Sequence, residues 1–347
     1  MDEINNLAYK NLLEGIILCL TNLSYIKNYF NGNLIEDYYN CCNNTNQMAL
    51  TCALKELING LNSVDLLDFS LNIFVQKYDS MVNYNFENNS ENIFTIISNL
   101  IEQLHKEQNF IGNNNYNSQN QPFSIEVQKS LMLGLFYEYF ENTNVSEISK
   151  LFFGSSIIIR ECSLCNSFTY NFEIQKVFKF DLDKIISFKN NNNENENLVS
   201  LDDCFKFYCS INKDTTNLCK KENCYNSEIK TKKLIYWTSD IIVISLQRNS
   251  FEENKIDFKI DTTFNISPYV DKDSLNNLTK FFNRKMDYKY ELNSIFYFDG
   301  SDYLSLCRKN KNVNKWYYIH SQSKSEDFED ISEELKQFVE FQPFLLF

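Results

Sequence analysis

The amino-acid sequence predicts an α+β fold, and three observations carry that expectation. Through roughly the first 150 residues, apolar side chains recur at spacings of three and four, the period of helices lying on a core. From Leu151 onward they gather instead into short runs rich in β-branched and aromatic residues. Two polar tracts, GNNNYNSQNQ at 112–121 and NNNNENEN at 190–197, have too little apolar content to pack, so they read as mobile loops that divide the chain. Helices first and antiparallel strands later give the α+β order.

Taken in order, the helical periodicity covers 12–23, 48–61, 63–78, 92–106 and 124–140. The strand-like runs that follow are SSIIIR, KVFKFDL, KKLIYW and DIIVISL, the last apolar enough to be buried on both faces. After the turn-rich DKDSLNN come YELNSIFYF, YLSLCR, WYYIH and the terminal FLLF. A helical part over 1–150 and a β-rich part over 151–347 follow as the expected division.

Composition bounds the function. With 347 residues and 43% hydrophobic content, the chain can bury a substantial core. Its net charge of -13 and pI near 4.8 argue against a phosphate backbone as ligand, because that affinity needs clustered cations. No nucleic acid is therefore expected as a direct partner. The start, MDEINNLAYK, lacks the basic and apolar character of a signal peptide, and the apolar stretch 12–20 is short and interrupted by Glu14. The expectation is an intracellular protein of cytoplasm or nucleus that does not enter a membrane. Asn occurs 50 times against 7 Gly, which reads as nucleotide bias and carries no functional weight.

Eleven cysteines without a secretory signal read as thiols or metal ligands. Cys162 and Cys165 form a Cys-x2-Cys pair, and Cys219 and Cys224 a looser pair in CKKENC. Four thiolates can close a tetrahedral zinc site, while the spacing alone leaves unconnected structural thiols equally open. Cys204 and Cys209 compete for the same role, although LDDCFKFYC looks like an element that buries them as small apolar groups.

The order of segments resembles the ubiquitin-specific protease family over nearly the whole chain. The family's cysteine box, N-N-L-G-N-T-C-Y-M-N-S-V-L-Q-C-L with its following S-N-T-P-P-L-R-E-Y-F, matches NNLAYKNLLEGIILCLTNLSYIKNYF at 5–30 without a gap. Its Q-D-A-x-E-F-L box has a degraded counterpart in QKSLMLG at 128–134. ECSLC, SLDDCF and CKKENC match the cysteine pattern of its fingers, TSDIIVISLQRN a palm strand, and YELNSIF, SDY, WYYIHS and FLLF its C-terminal motifs. The resemblance implies a papain-like fold with a helical thumb, β-rich zinc-binding fingers at about 156–235 and an antiparallel β palm. It also implies a structural zinc on Cys162, Cys165, Cys219 and Cys224.

On the same alignment every catalytic position is replaced. The family nucleophile falls at Asn11, its general-base His at Asp302, and the group orienting that His at His320. Cysteine catalysis needs a thiolate beside an imidazole, and a carboxamide neither ionises nor attacks a carbonyl. Asn6 matches the oxyanion-hole Asn, Cys19 a second, structural cysteine, and His105, in IEQLHKEQ, reads as a solvated surface residue. The two carboxylates that receive the basic tail of ubiquitin are Lys129 and Met132 here, and Ala8 stands where the cysteine box has Gly.

The resemblance therefore implies a catalytically inactive member acting as a binding or scaffold module in a ubiquitin-linked or splicing complex. KNYF at 27–30 is similar to the R-N-Y-F of a splicing-factor pseudoprotease of that superfamily. Its partners would be proteins, with ubiquitin held weakly if at all. The alternatives are an active deubiquitinase with a relocated nucleophile, or a ubiquitin reader that binds without cutting.

Overall fold

The computed structural model describes residues 2–31, 49–60, 64–82, 91–109, 129–191, 197–214, 219, 221, 224, 228–248, 256–274, 288–299, 302–310, 313–320, 323–324, 328 and 342–347. The helical part consists of α1 (Asp2–Asn22), α2 (Ser24–Asn31), α3 (Ala49–Gly60), α4 (Val64–Met81), α5 (Glu91–Gln108), α6 (Lys129–Thr143) and the short α7 (Glu147–Phe152). These overlap the periodic segments of the sequence, of which 48, 61, 63 and 124–128 lie outside the described residues, and α1 starts ten residues earlier than its apolar run. The tract at 112–121 lies outside the described residues, as do 192–196 of the second tract, whose first two Asn belong instead to a helix.

Every residue from Leu12 to Leu23 is buried, so α1 is a central helix rather than an amphipathic one. Gly15 permits that position. A Cβ there would stand 2.5 Å from Phe296 Cε2 and 2.7 Å from Tyr303 Cδ2. The close approach lets two sheet hydroxyls reach the helix backbone, Ser305 donating to the Gly15 carbonyl at 2.9 Å and Ser294 to that of Cys19 at 3.1 Å.

The strands form two main sheets. The smaller has the order β2-β1-β6-β5, from β1 (Gly154–Cys162), β2 (Phe168–Gln175), β5 (Ile211–Asp214) and β6 (Ile229–Trp237), all antiparallel. The larger runs β14-β13-β12-β11-β15-β7-β3 and is made of β3 (Val177–Asp181), β7 (Val243–Gln247), β11 (Ser294–Phe298), β12 (Tyr303–Asn310), β13 (Val313–His320), β14 (Ser323–Lys324) and β15 (Gln342–Leu346). Its neighbours are antiparallel except β3 and β7, which run parallel. All five residues of β7 are buried, as the run DIIVISL predicts. Two short ribbons, β4 (Leu198–Val199) with β8 (Asp257–Phe258) and β9 (Thr263–Asn265) with β10 (Lys289–Glu291), complete the strands, so YELNSIFYF is two strands broken at Leu292–Asn293.

Two helices interrupt the strand-rich part where the sequence reading gives none or leaves the choice open. They are α8 (Leu182–Asn191) and α9 (Leu201–Tyr208). Each starts at a local cap: Asp181 Oδ1 accepts the Lys184 amide, and Ser200 with Asp203 forms a capping box. They cover one face of the large sheet, where Phe178, Phe205, Ile244, Leu246, Ile295 and Trp316 share a cluster. The helical part covers the other face through Leu13, Ile16, Phe74, Ile97, Val243 and Phe296. A third cluster joins α6 to the small sheet, with Met132, Phe136, Ile157, Phe172 and Trp237.

One surface expectation is corrected. His105 is not solvated but 5% exposed, since α7 and Phe153 fold over the last turns of α5. Its Nδ1 lies 2.7 Å from Ser146 Oγ and its ring 4.8 Å from that of Phe153. Among the described residues no helix is long and apolar enough to cross a membrane.

Candidate functional site

Two places gather the residues singled out by sequence. At the first, α1 lies against β12, and Asn11 sits half-buried one helical turn before Gly15. Because α1 begins at Asp2, Asn11 is mid-helix, about 13 Å along the axis from the first residue. The positive end of a helix dipole, which stabilises a thiolate within the first turn, is thus remote from this position. Asp302 immediately precedes β12. Its amide donates to Asp299 Oδ1 at 2.8 Å, its Oδ1 accepts the Tyr303 amide at 2.8 Å, and its carbonyl accepts the Asp299 amide at 3.2 Å. That carboxylate is engaged by its own turn. His320 closes β13, opposite Leu304 in register, which places its backbone two positions from Asp302 across the ladder. The side chains of Asn6, Ala8 and His320, and the whole of Gln128, lie outside the described residues.

Lys129, at the start of α6, reaches across to the segment after the 3-10 turn Ser267–Tyr269. Its Nζ donates to Asp271 Oδ1 and Asp273 Oδ2, both at 2.7 Å. Burial pulls the Lys129 ammonium down, but the two carboxylates outweigh it and hold its pKa above the ordinary lysine value. Met132 faces inward, buried beside Phe136. Spacing in sequence does not reveal this clamp, since its halves are 142 residues apart; D-K-D at 271–273 is the one visible signal.

The second place is the tip of the small sheet. Cys162 ends β1, Cys165 lies in the turn to β2, and Cys219 and Cys224 come from the connection between β5 and β6. The turn is tight: the Asn166 amide donates to the Cys162 carbonyl at 3.0 Å, the Cys162 amide to that of Ser167 at 3.0 Å, and Asn166 has φ 51°. Asn tolerates that left-handed geometry better than most side chains. The four sulfurs all lie within 4.8 Å of one another, with Cys162–Cys224 and Cys165–Cys219 at 3.6 Å. Tetrahedral metal–sulfur bonds near 2.3 Å set sulfurs about 3.8 Å apart, so the spacing fits an ion. Ser167, which sequence reading passed over, stands with its Oγ 3.0 Å from Cys165 Sγ, and its hydrogen bonds hold that thiol below the ordinary cysteine pKa. Cys204 and Cys209 take no part. Cys204 is buried in α9 with its thiol pKa pushed up by burial, and burial pushes that of Cys209 up to about 12.

No protein-family model matches the chain, and no curated protein does. Solved structures match over almost all of it. A SAGA DUB module of Ubp8, Sgf11, Sus1 and Sgf73 bound to monoubiquitin superposes with a TM-score of 0.62 at 14% identity, covering 97% of this chain and 66% of that one. The same module bound to ubiquitin aldehyde gives 0.60, 14%, 97% and 66%, and a yeast SAGA DUB module gives 0.62, 14%, 97% and 65%. The chain spans just under two thirds of the length of these neighbours. The class defined is an α+β, ubiquitin-specific-protease-like fold: helical thumb, fingers built on the small sheet, and palm on the large one. The fingers carry a four-cysteine cluster able to hold a metal ion.

Proposed function

We propose that the chain is a catalytically inactive protein of this fold, working by binding within a ubiquitin-linked protein complex. Asn11 at the position matched with the family nucleophile is the observation that carries the reading, since a carboxamide supplies no thiolate. The surroundings support it. Asp302, where the family has its imidazole, spends its carboxylate on the Tyr303 amide, and His105 is committed to Ser146. Lys129 and Met132 replace the carboxylates expected to receive a basic tail, and Lys129 is already paired. That the structural neighbours are ubiquitin-bound multiprotein modules supports the link to ubiquitin.

In the same reading residues 1–150 form the thumb, 151–347 the fingers and palm, and about 156–235 the fingers. Zinc is the ion that Cys162, Cys165, Cys219 and Cys224 would hold, as four thiolates suit zinc and leave no open coordination position for catalysis. Bound there it ties the β1–β2 turn to the β5–β6 connection. The test is release of a fluorophore from the C-terminus of ubiquitin. No turnover is expected, whereas turnover abolished by a cysteine alkylator would overturn the proposal.

A further inference from the structure

The outer fingers carry a surface that neither the cysteine cluster nor the Asn11 region uses. Pairing register defines it. Tyr170, Ile159, Lys232 and Ile211 stand side by side across β2, β1, β6 and β5, and Phe168, Glu161, Lys230 and Lys213 form the next row. Directly paired residues, and those two apart along a strand, share a face, so both rows lie on one face of the sheet. Nearer the palm α6 covers that face through Phe136 packed on Ile157 and Phe172. Farther out it is open, with Ile211 64% exposed.

The charge there runs against the rest of the molecule. Lys213 and Lys230 are directly opposed, a destabilising like-charge pair, and Lys232 lies two residues along the same face. Among the described residues none of the three has a carboxylate at ion-pair distance, while Lys233, on the other face, takes Glu173. Glu161 is the one acid in the two rows, in a chain whose net charge is -13. β5 is also an edge strand, paired on one side by β6 and on the other by no described strand. Among the described residues that edge is open and offers backbone groups to an added strand, and side chains of that strand would alternate between the faces.

We propose that β5 binds an extended acidic peptide segment of a partner protein by strand addition. The register asks for an apolar residue beside Ile211 and, two residues along, a carboxylate beside Lys213 and within reach of Lys230. The requirement rests on the fingers sheet alone, so the presence or absence of ubiquitin turnover leaves it untouched.

The experiment is fluorescence anisotropy of the full chain with labelled Thr-Val-Thr-Glu-Thr-Val-Thr-Glu-Thr and with its Glu-to-Lys counterpart. Saturable binding of the Glu peptide is expected, weaker at high salt, with the Lys peptide at least about tenfold weaker. Lys213→Glu should cut Glu-peptide affinity by about tenfold or more while leaving the melting temperature unchanged or higher, because it replaces a repulsive pair by an attractive one. Three results would overturn the proposal: no Glu-peptide binding up to about 1 mM, equal binding of both peptides, or a Lys213→Glu variant that binds as before.

Discussion

His105 titrates against the fold. Burial is the main reason its pKa falls to about 4; Glu102 opposes the shift, and Lys176 and Lys106 add to it. In the unfolded chain the imidazole titrates near 6.5, so below that pH the unfolded state binds more protons than the folded one. The stability that the neutral ring contributes is complete above about 6.5 and is lost as pH falls toward 4. The loss amounts to about 3 kcal/mol at the acid end. Urea midpoints measured from pH 7 to pH 4 should show it, and His105→Gln should flatten that part of the slope. A second residue-scale expectation concerns Gly15, where an added methyl meets the rings of Phe296 and Tyr303. Gly15→Ala should cost about 1–3 kcal/mol of unfolding free energy, measured by denaturant titration. Neither behaviour is legible locally: IEQLHKEQ is a predominantly polar run around His105, and the residues that bury it, Ser146 and Phe153, come more than forty positions later.

At the scale of elements, the fingers and the Lys129 clamp make separate claims. The fingers tip has a small core of its own, Cys162, Cys219 and Ile229. A metal ion held by the cluster would therefore contribute to its folding directly. Purified without chelator, the protein should contain about one zinc per chain, and Cys219→Ser should abolish it; metal analysis decides this. In the clamp, Asp271 is 8% exposed and Asp273 63%. Lys129→Ala strands a buried carboxylate and should cost about 2–3 kcal/mol, whereas Asp273→Ala should cost less than about 0.5 kcal/mol, both by urea unfolding. The cysteine spacing alone left zinc and unconnected thiols open; the resemblance singled out Cys162, Cys165, Cys219 and Cys224, whose sulfurs the fold brings within 4.8 Å of one another. The clamp was not legible in sequence, because only the packing of α6 against the small sheet, beside which Asp271 is held by the Ile235 carbonyl, brings Lys129 to Asp271.

For the whole molecule, the order of helical and strand-like segments carried the α+β architecture, and the motif order carried the thumb, fingers and palm. What escaped was set by local capping and by sheet topology. KVFKFDL ends in the first residue of α8, since Asp181 caps the helix that follows, and β3 beside β7 is parallel within an otherwise antiparallel sheet. The positions matched with a triad come from the alignment alone, while the hydrogen bonds that Asp302 makes within its own turn required the fold. The most direct test of an inactive protein on a protease-like fold is covalent trapping. The full chain is incubated with ubiquitin carrying a thiol-reactive electrophile at its C-terminus, and the intact mass is measured. The expected result is unmodified chain, since Asn11 offers no nucleophile; a ubiquitin adduct mapped to any cysteine beside α1 and β12 would contradict it.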